Sequence, residues 1–182
     1  TQLPGRPTDF GAALDPERDR YAATASIVHR VPAEVTEAVV TSVPHSFGGN
    51  VNDVLLATLA RAVRSWQADR GLDDDAPVTI LSEGHGRYED VVEAGPNPRR
   101  ADLSRTVGWF TTIAPVAVDP AVDVVHAVKA AKEARLATPD HGVGFGLLRY
   151  GAESPLATRP LPSIAFNYLG NRGGAGVDDQ AT

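Results

Sequence analysis

Residues 50–70 repeat apolar side chains at helical spacing, and a short apolar strand follows soon after them. Val51, Leu55, Leu59, Ala62, Val63 and Trp66 mark one face of that helix. Asn52 is the expected cap, and Asp53 sits favourably in the positive first turn. Gly71 ends the helix, since glycine enters the left-handed conformation at no steric cost. The solvated run Asp73-Asp74-Asp75 follows. Residues 78–81 then read as a strand that delivers Glu83 at its end. A long helix handing the chain to a buried strand points to helices layered on a sheet, an α/β fold.

At the end of that strand stands Glu83-Gly84-His85-Gly86-Arg87, which sets an acid, an imidazole and a guanidinium between glycines. No other stretch combines so much ionisable chemistry with so little bulk. Downstream lies Ser104-Arg105-Thr106-Val107-Gly108-Trp109-Phe110. Gly108 within this apolar run reads as a strand position where another backbone comes close.

Elsewhere, residues 21–31 read as a strand, and residues 32–42 as a helix with Pro32 in its first turn and Glu34 and Glu37 near its positive end. Residues 44–49 and 88–102 read as loops, the latter containing Pro96 and Pro98. Residues 106–118 form a second strand region, ended by Asp119-Pro120. Residues 124–136 form an amphipathic helix with Val124, Val128 and Ala131 on one face. A glycine-broken loop over 138–146 leads to short strands at 147–150 and 163–168. This divides the chain into a lead-in segment over 1–20, a main unit over 21–170 and a flexible tail over 171–182.

The 182 residues suffice for one domain or half of a larger one, and a hydrophobic content of 42% supplies a core. The absence of methionine reads as a piece cut from a longer polypeptide. A net charge of −6 argues against a general nucleic-acid binder. With no cysteine, disulfides and thiolate metal sites are excluded, and the five scattered histidines lack metal-binding spacing. No apolar run reaches the ~18 residues of a membrane span, and the expected location is cytoplasmic.

Glu83 has two readings: a partly desolvated general base, or a structural carboxylate paired with Arg87 or Arg105. His85 is expected to hydrogen-bond the loop backbone. Arg87 and Arg105 either stabilise an enolate-like oxygen or pair with Glu83, Glu89 or Asp102. Gly142-Val143-Gly144-Phe145-Gly146 lacks dinucleotide spacing and fits a close crossing, or a loop past which a chain-like ligand runs. Tyr168, beside Asn167, is either a proton donor in a cleft or a half-buried tyrosine with a satisfied hydroxyl.

In order, Asn52-Asp53-Val54-Leu55-Leu56, Glu83-Gly84-His85-Gly86-Arg87, Arg105-Thr106-Val107-Gly108-Trp109-Phe110-Thr111, residues 139–150 and Phe166-Asn167-Tyr168-Leu169-Gly170 carry a resemblance. Over residues 23–170 the chain resembles the C-terminal half of an epimerization domain of nonribosomal peptide synthetases, in the condensation-domain superfamily. The resemblance implies a chloramphenicol-acetyltransferase-like lobe, with a mixed β-sheet packed by helices. It implies a partner N-terminal lobe across a tunnel. A peptidyl carrier protein would insert its phosphopantetheine arm there, bearing an aminoacyl or peptidyl thioester whose α-carbon is inverted in antibiotic biosynthesis. No directly bound cofactor and no metal are implied.

By position, Glu83 resembles the proton-exchanging carboxylate, and Arg87, Asn167 and Tyr168 resemble residues that support it. His85, Gly84, Gly86, Arg105, Trp109 and Gly144 resemble tunnel or structural positions. Tyr88 stands where the family tends to carry a glutamate, and the His-His signature of the other lobe is missing from these residues. The isolated lobe is therefore expected to be inactive. A non-catalytic carrier-docking module and a peptide-bond-forming condensation domain are the alternatives.

Overall fold

β1 (Val78–Gly84) is the middle strand of a three-stranded sheet ordered β2-β1-β3. This is seen in a computed structural model that describes residues 15, 17–72, 75–93, 101–120, 123–151 and 154–170. β2 (Thr112–Val118) runs antiparallel to β1, from Val78↔Val118 to Gly84↔Thr112. β3 (Ala165–Phe166) runs parallel to it, with Leu81 opposite Ala165. The sheet is mixed, as expected.

Strand alternation puts Val78 and Ile80 on one face with Val118 and Val116. These four side chains join Leu56, Ala57 and Ala60 of α3 (Val51–Ala68) and Ala127, Val128 and Ala131 of α5 (Val124–Leu136) in the core. α1 (Ala33–Val40) and α2 (Ser42–Ser46) flank this layer, and Val39, Val43 and Phe47 pack against it. Val124, expected on the buried face of α5, is instead exposed. The buried stripe begins at Ala127, one turn further on.

Asn50, not Asn52, caps α3. Its side chain accepts the Asp53 N–H at 3.2 Å, and the Asp53 carboxylate accepts the Asn50 N–H at 2.8 Å. Asp53 is fully buried and takes a second partner from α5, with Arg135 Nε 2.6 Å from its Oδ1. A buried carboxylate needs such donors, and here they lock the start of one helix to the end of another. Gly71 ends the α3 region at φ +65°, as expected.

Several expected elements differ. Residues 24–32 form no strand: a 3-10 turn at Tyr21–Ala23 leads into unpaired chain, and Ile27 is 97% exposed. A strand needs a neighbour for its N–H and C=O groups, and no described strand lies beside this one. Pro44 lies inside α2 rather than in a loop, near the helix start where its missing N–H removes no bond. The 88–102 loop contains α4 (Glu89–Glu93). The second strand starts only at Thr112, so Val107, Gly108 and Trp109 lie outside the ladder. Residues 147–150 belong to a helix, α6 (Phe145–Tyr150), since a short apolar run carries no period that separates helix from strand. The 163–168 strand shrinks to Ala165–Phe166. Most of the 1–20 lead-in, Asp73, Asp74, Pro96, Pro98 and the 171–182 tail lie outside the described residues. No helix among the described residues is long and apolar enough to cross a membrane.

Candidate active site

The end of β1, the start of α3, the end of α5 and the chain after β3 meet around a cleft of about 520 Å³. Glu83, Gly84, His85, Asn167 and Tyr168 all line it, so much of the expected site is brought together. Glu83 pairs with Ile113 in the ladder and falls on the face opposite Ile80, away from the helix core. It is half-buried. Among the described residues its carboxylate accepts no hydrogen bond and makes no ion pair. A carboxylate so placed keeps its lone pairs for whatever enters the cleft.

The expected pairing of Arg87 with an acid does not form. Its Nη1 donates to the Leu103 carbonyl at 2.5 Å, and its guanidinium lies 4.3 Å from the centre of the Phe110 ring. Glu89 accepts the Leu103 N–H at 2.7 Å instead. Asp102 takes the Ser104 hydroxyl at 2.6 Å and the Ser104 N–H at 3.0 Å. Those bonds, the hydroxyl's first, hold the Asp102 carboxyl below the usual carboxylate range. Arg105 is exposed, with no partner among the described residues. Both acids are thus occupied by backbone and hydroxyl donors, which spacing along the chain does not reveal.

Arg87 and Trp109 line a separate open groove, which meets the cleft at His85 and Thr111. Trp109 is 92% exposed. Gly144 lines a third, apolar pocket and not the cleft. His85 does bond the loop backbone, its Nδ1 accepting the Arg87 N–H at 3.0 Å.

The structure gives Tyr88 a contact role and adds residues that the sequence reading passed over. Tyr88 is sandwiched between His85, at 4.4 Å, and His141, stacked at 4.2 Å and 15°. The Nε2 of His141 lies 3.2 Å from the Asp90 carboxylate, and its carbonyl accepts the Thr112 hydroxyl at 3.2 Å. Asp140 and His141 both have positive φ, 47° and 51°, a costly conformation for residues with a Cβ. Arg135 also lines the cleft. The one usable signal for His141 is that residues 139–150 carry part of the resemblance, though the histidine itself was not marked. Among the described residues no group of three or more His, Asp or Glu side chains could hold a metal ion.

A family model described as "Condensation domain" matches residues 1–181. Chondramide synthase cmdD of Chondromyces crocatus is 42% identical over 84% of the chain. Surfactin synthase subunit 2 of Bacillus subtilis (strain 168) is 38% identical over 81% of it. The chain spans only 4% of the length of either protein. Among solved structures, the epimerization domain from the third module of tyrocidine synthetase B matches with a TM-score of 0.66 and 31% identity. That match covers 93% of this chain and 35% of that one.

Proposed function

The chain belongs to the condensation-domain family and has its chloramphenicol-acetyltransferase-like α/β fold, and from that premise we propose that it is the C-terminal lobe of an epimerization domain in a nonribosomal peptide synthetase. The reaction inverts the α-carbon of an aminoacyl or peptidyl thioester on the phosphopantetheine arm of a carrier protein. The observation that carries this reading is the likeness to the tyrocidine synthetase epimerization domain across 93% of the chain. The half-buried Glu83 in the cleft, without a partner among the described residues, supports it.

In this reading Glu83 exchanges the α-proton. A carboxylate without fixed donors can take the proton as a base and return it as an acid. Removing that proton turns the thioester carbonyl into an enolate, whose oxygen needs preorganised donors. Asn167 and Tyr168, which also line the cleft, carry an amide and a phenol of that kind. Arg87 acts at a distance, by holding the loop that follows Glu83 against Leu103 and Phe110. The second proton-transfer group belongs to the N-terminal lobe, so this lobe alone is inactive.

The test uses the complete domain with its carrier, loaded with an aminoacyl thioester in deuterated water. Glu83→Gln is expected to lower α-proton exchange at least a hundredfold while the melting temperature holds. Undiminished exchange would overturn the assignment. The family-wide match to condensation domains favours a second reading, peptide-bond formation between two carrier-bound substrates. Dipeptide formation without exchange would establish it instead, and neither activity would leave a carrier-docking role.

A further inference from the structure

The proton-transfer reading leaves the Tyr88 phenol without a task. Its ring is held on both faces, by His85 at 4.4 Å and by His141 at 4.2 Å, and the Asp90 carboxylate fixes His141 in turn. Tyr88 lines the cleft and is half-buried. Among the described residues its hydroxyl makes no hydrogen bond. Unlike the Asn52 Oδ1, which is buried without a partner, the phenol oxygen is open to the cleft.

Gly84 makes the room for it. A Cβ added there would lie 2.7 Å from the phenol oxygen and 2.8 Å from the Thr112 hydroxyl oxygen. Gly84 is not among the glycines with positive φ, so space and not backbone conformation demands glycine at this position. Gly84 pairs with Thr112 in the ladder, and strand alternation puts both on the side of the sheet that carries Ser82 and Ala114, two residues of the cleft wall. The phenol stands on that side, whereas Glu83 falls on the other. Ser82, Glu83 and Gly84 all line the cleft, which therefore wraps round the end of β1. A chain lying in it passes the carboxylate on one side of the strand end and the phenol on the other.

Neutral polar side chains dominate the surroundings: Asn50, Asn52, Thr111, Thr138 and Asn167 line the same cleft. Arg135 is engaged by Asp53, and His141 by Asp90. Amides and hydroxyls of this kind match a neutral polar chain.

We propose that the Tyr88 hydroxyl donates a hydrogen bond to an amide carbonyl of the carrier-tethered substrate, at a point removed from the α-carbon. This rests on the carrier-bound thioester of the proposed function. The amide lies either in the pantetheine arm or in the peptide bond of a peptidyl group. A phenol already fixed by two ring contacts loses little freedom on binding, so a single hydrogen bond counts.

The experiment measures binding and exchange separately, in the complete domain. Two thioether analogues of leucyl-pantetheine, one with a free amine and one N-acetylated, keep the amides and lack the thioester carbonyl. Both are titrated by calorimetry. Tyr88→Phe keeps the ring contacts and is expected to weaken binding about fivefold with the melting temperature unchanged. Gly84→Ala, which displaces the phenol oxygen, is expected to weaken the same analogue. Loss for both analogues assigns the carbonyl to the arm, and loss for the acetylated one alone assigns it to the peptide bond. No loss beyond twofold for either analogue, or loss confined to the free amine, overturns the proposal. With the matching thioesters in deuterated water, the saturated exchange rate of Tyr88→Phe is expected to stay within threefold. A larger fall with unchanged analogue binding puts the phenol at the reacting carbonyl and also overturns the proposal. If exchange survives Glu83→Gln while Tyr88→Phe weakens the analogues, the epimerase reading falls and the amide site stands.

Discussion

Gly86 and Phe110 meet backbone to backbone: a Cβ at position 86 would lie 1.4 Å from the Phe110 carbonyl oxygen, and Gly86 itself has φ +70°. This contact fastens the Glu83–Arg87 segment to the segment ending in Trp109 and Phe110. The close approach expected at Gly108 occurs at Gly86 instead. At Gly108 an added Cβ would meet only the edge of the Phe110 ring, at 3.1 Å.

Gly86→Ala is therefore expected to be severe. The left-handed backbone alone costs about 1–2 kcal/mol for a residue with a Cβ, and the overlap with Phe110 adds to it. Gly144→Ala is the control: nothing lies within 4 Å of its added Cβ and its φ is −79°. Thermal unfolding should show a drop of several degrees or more for the first and little change for the second. Equal midpoints would contradict the contact.

Asp53→Asn tests the clamp between α3 and α5. It leaves Arg135 without its anion and weakens the capping box, for a loss of about 3–4 kcal/mol. Asn50→Ala removes only the cap and should cost about 1 kcal/mol. Urea unfolding measures both. A smaller loss from Asp53→Asn than from Asn50→Ala would show that the buried pair contributes nothing.

Arg87→Lys keeps the charge but loses the planar group over Phe110 and the fixed donor to Leu103. A loss of about 1–2 kcal/mol is expected. In the complete domain, exchange should fall through misplacement of Glu83, with the pH profile keeping its shape. A shifted profile would mean that Arg87 acts on the ionisation of Glu83 directly.

Asp123 caps α5, accepting the His126 N–H at 3.0 Å, and its side chain reaches the His126 ring at 2.5 Å. The backbone bond first, then the ring contact, holds its carboxyl below the usual carboxylate range. The folded state thus binds this proton less readily than the unfolded one. The stabilisation is complete above the ordinary carboxylate value near 4 and fades as pH falls through the lowered value. Asp123→Asn should flatten the acid side of the stability profile measured between pH 2 and 6. An unchanged acid side would exclude Asp123 as its source.

Periodicity and caps are local, so α3, α5, β1 and the Gly71 stop were legible from the sequence to within a few residues. Glu83, His85, Asn167 and Tyr168 could be named together only through the family resemblance that their motifs carry in order along the chain. What each group touches was not legible. Arg87 has acids nearby in sequence yet turns to a carbonyl and a ring, and Asp53 finds Arg135 from another helix.

The sequence by itself determined the layered α/β class and which segment carries the acid, because both follow from neighbours along the chain. Tertiary structure alone decided whether apolar alternation became a strand. Residues 24–31 have the pattern and no ladder partner among the described residues, while Val78 to Gly84 find one on each side. It also decided that Glu83 finds no partner among the described residues and that His141 stands with it in the cleft, since those facts depend on donors brought from distant segments. Backbone hydrogen bonds between strands and side-chain pairing across a cleft are long-range, and no window of sequence contains both partners.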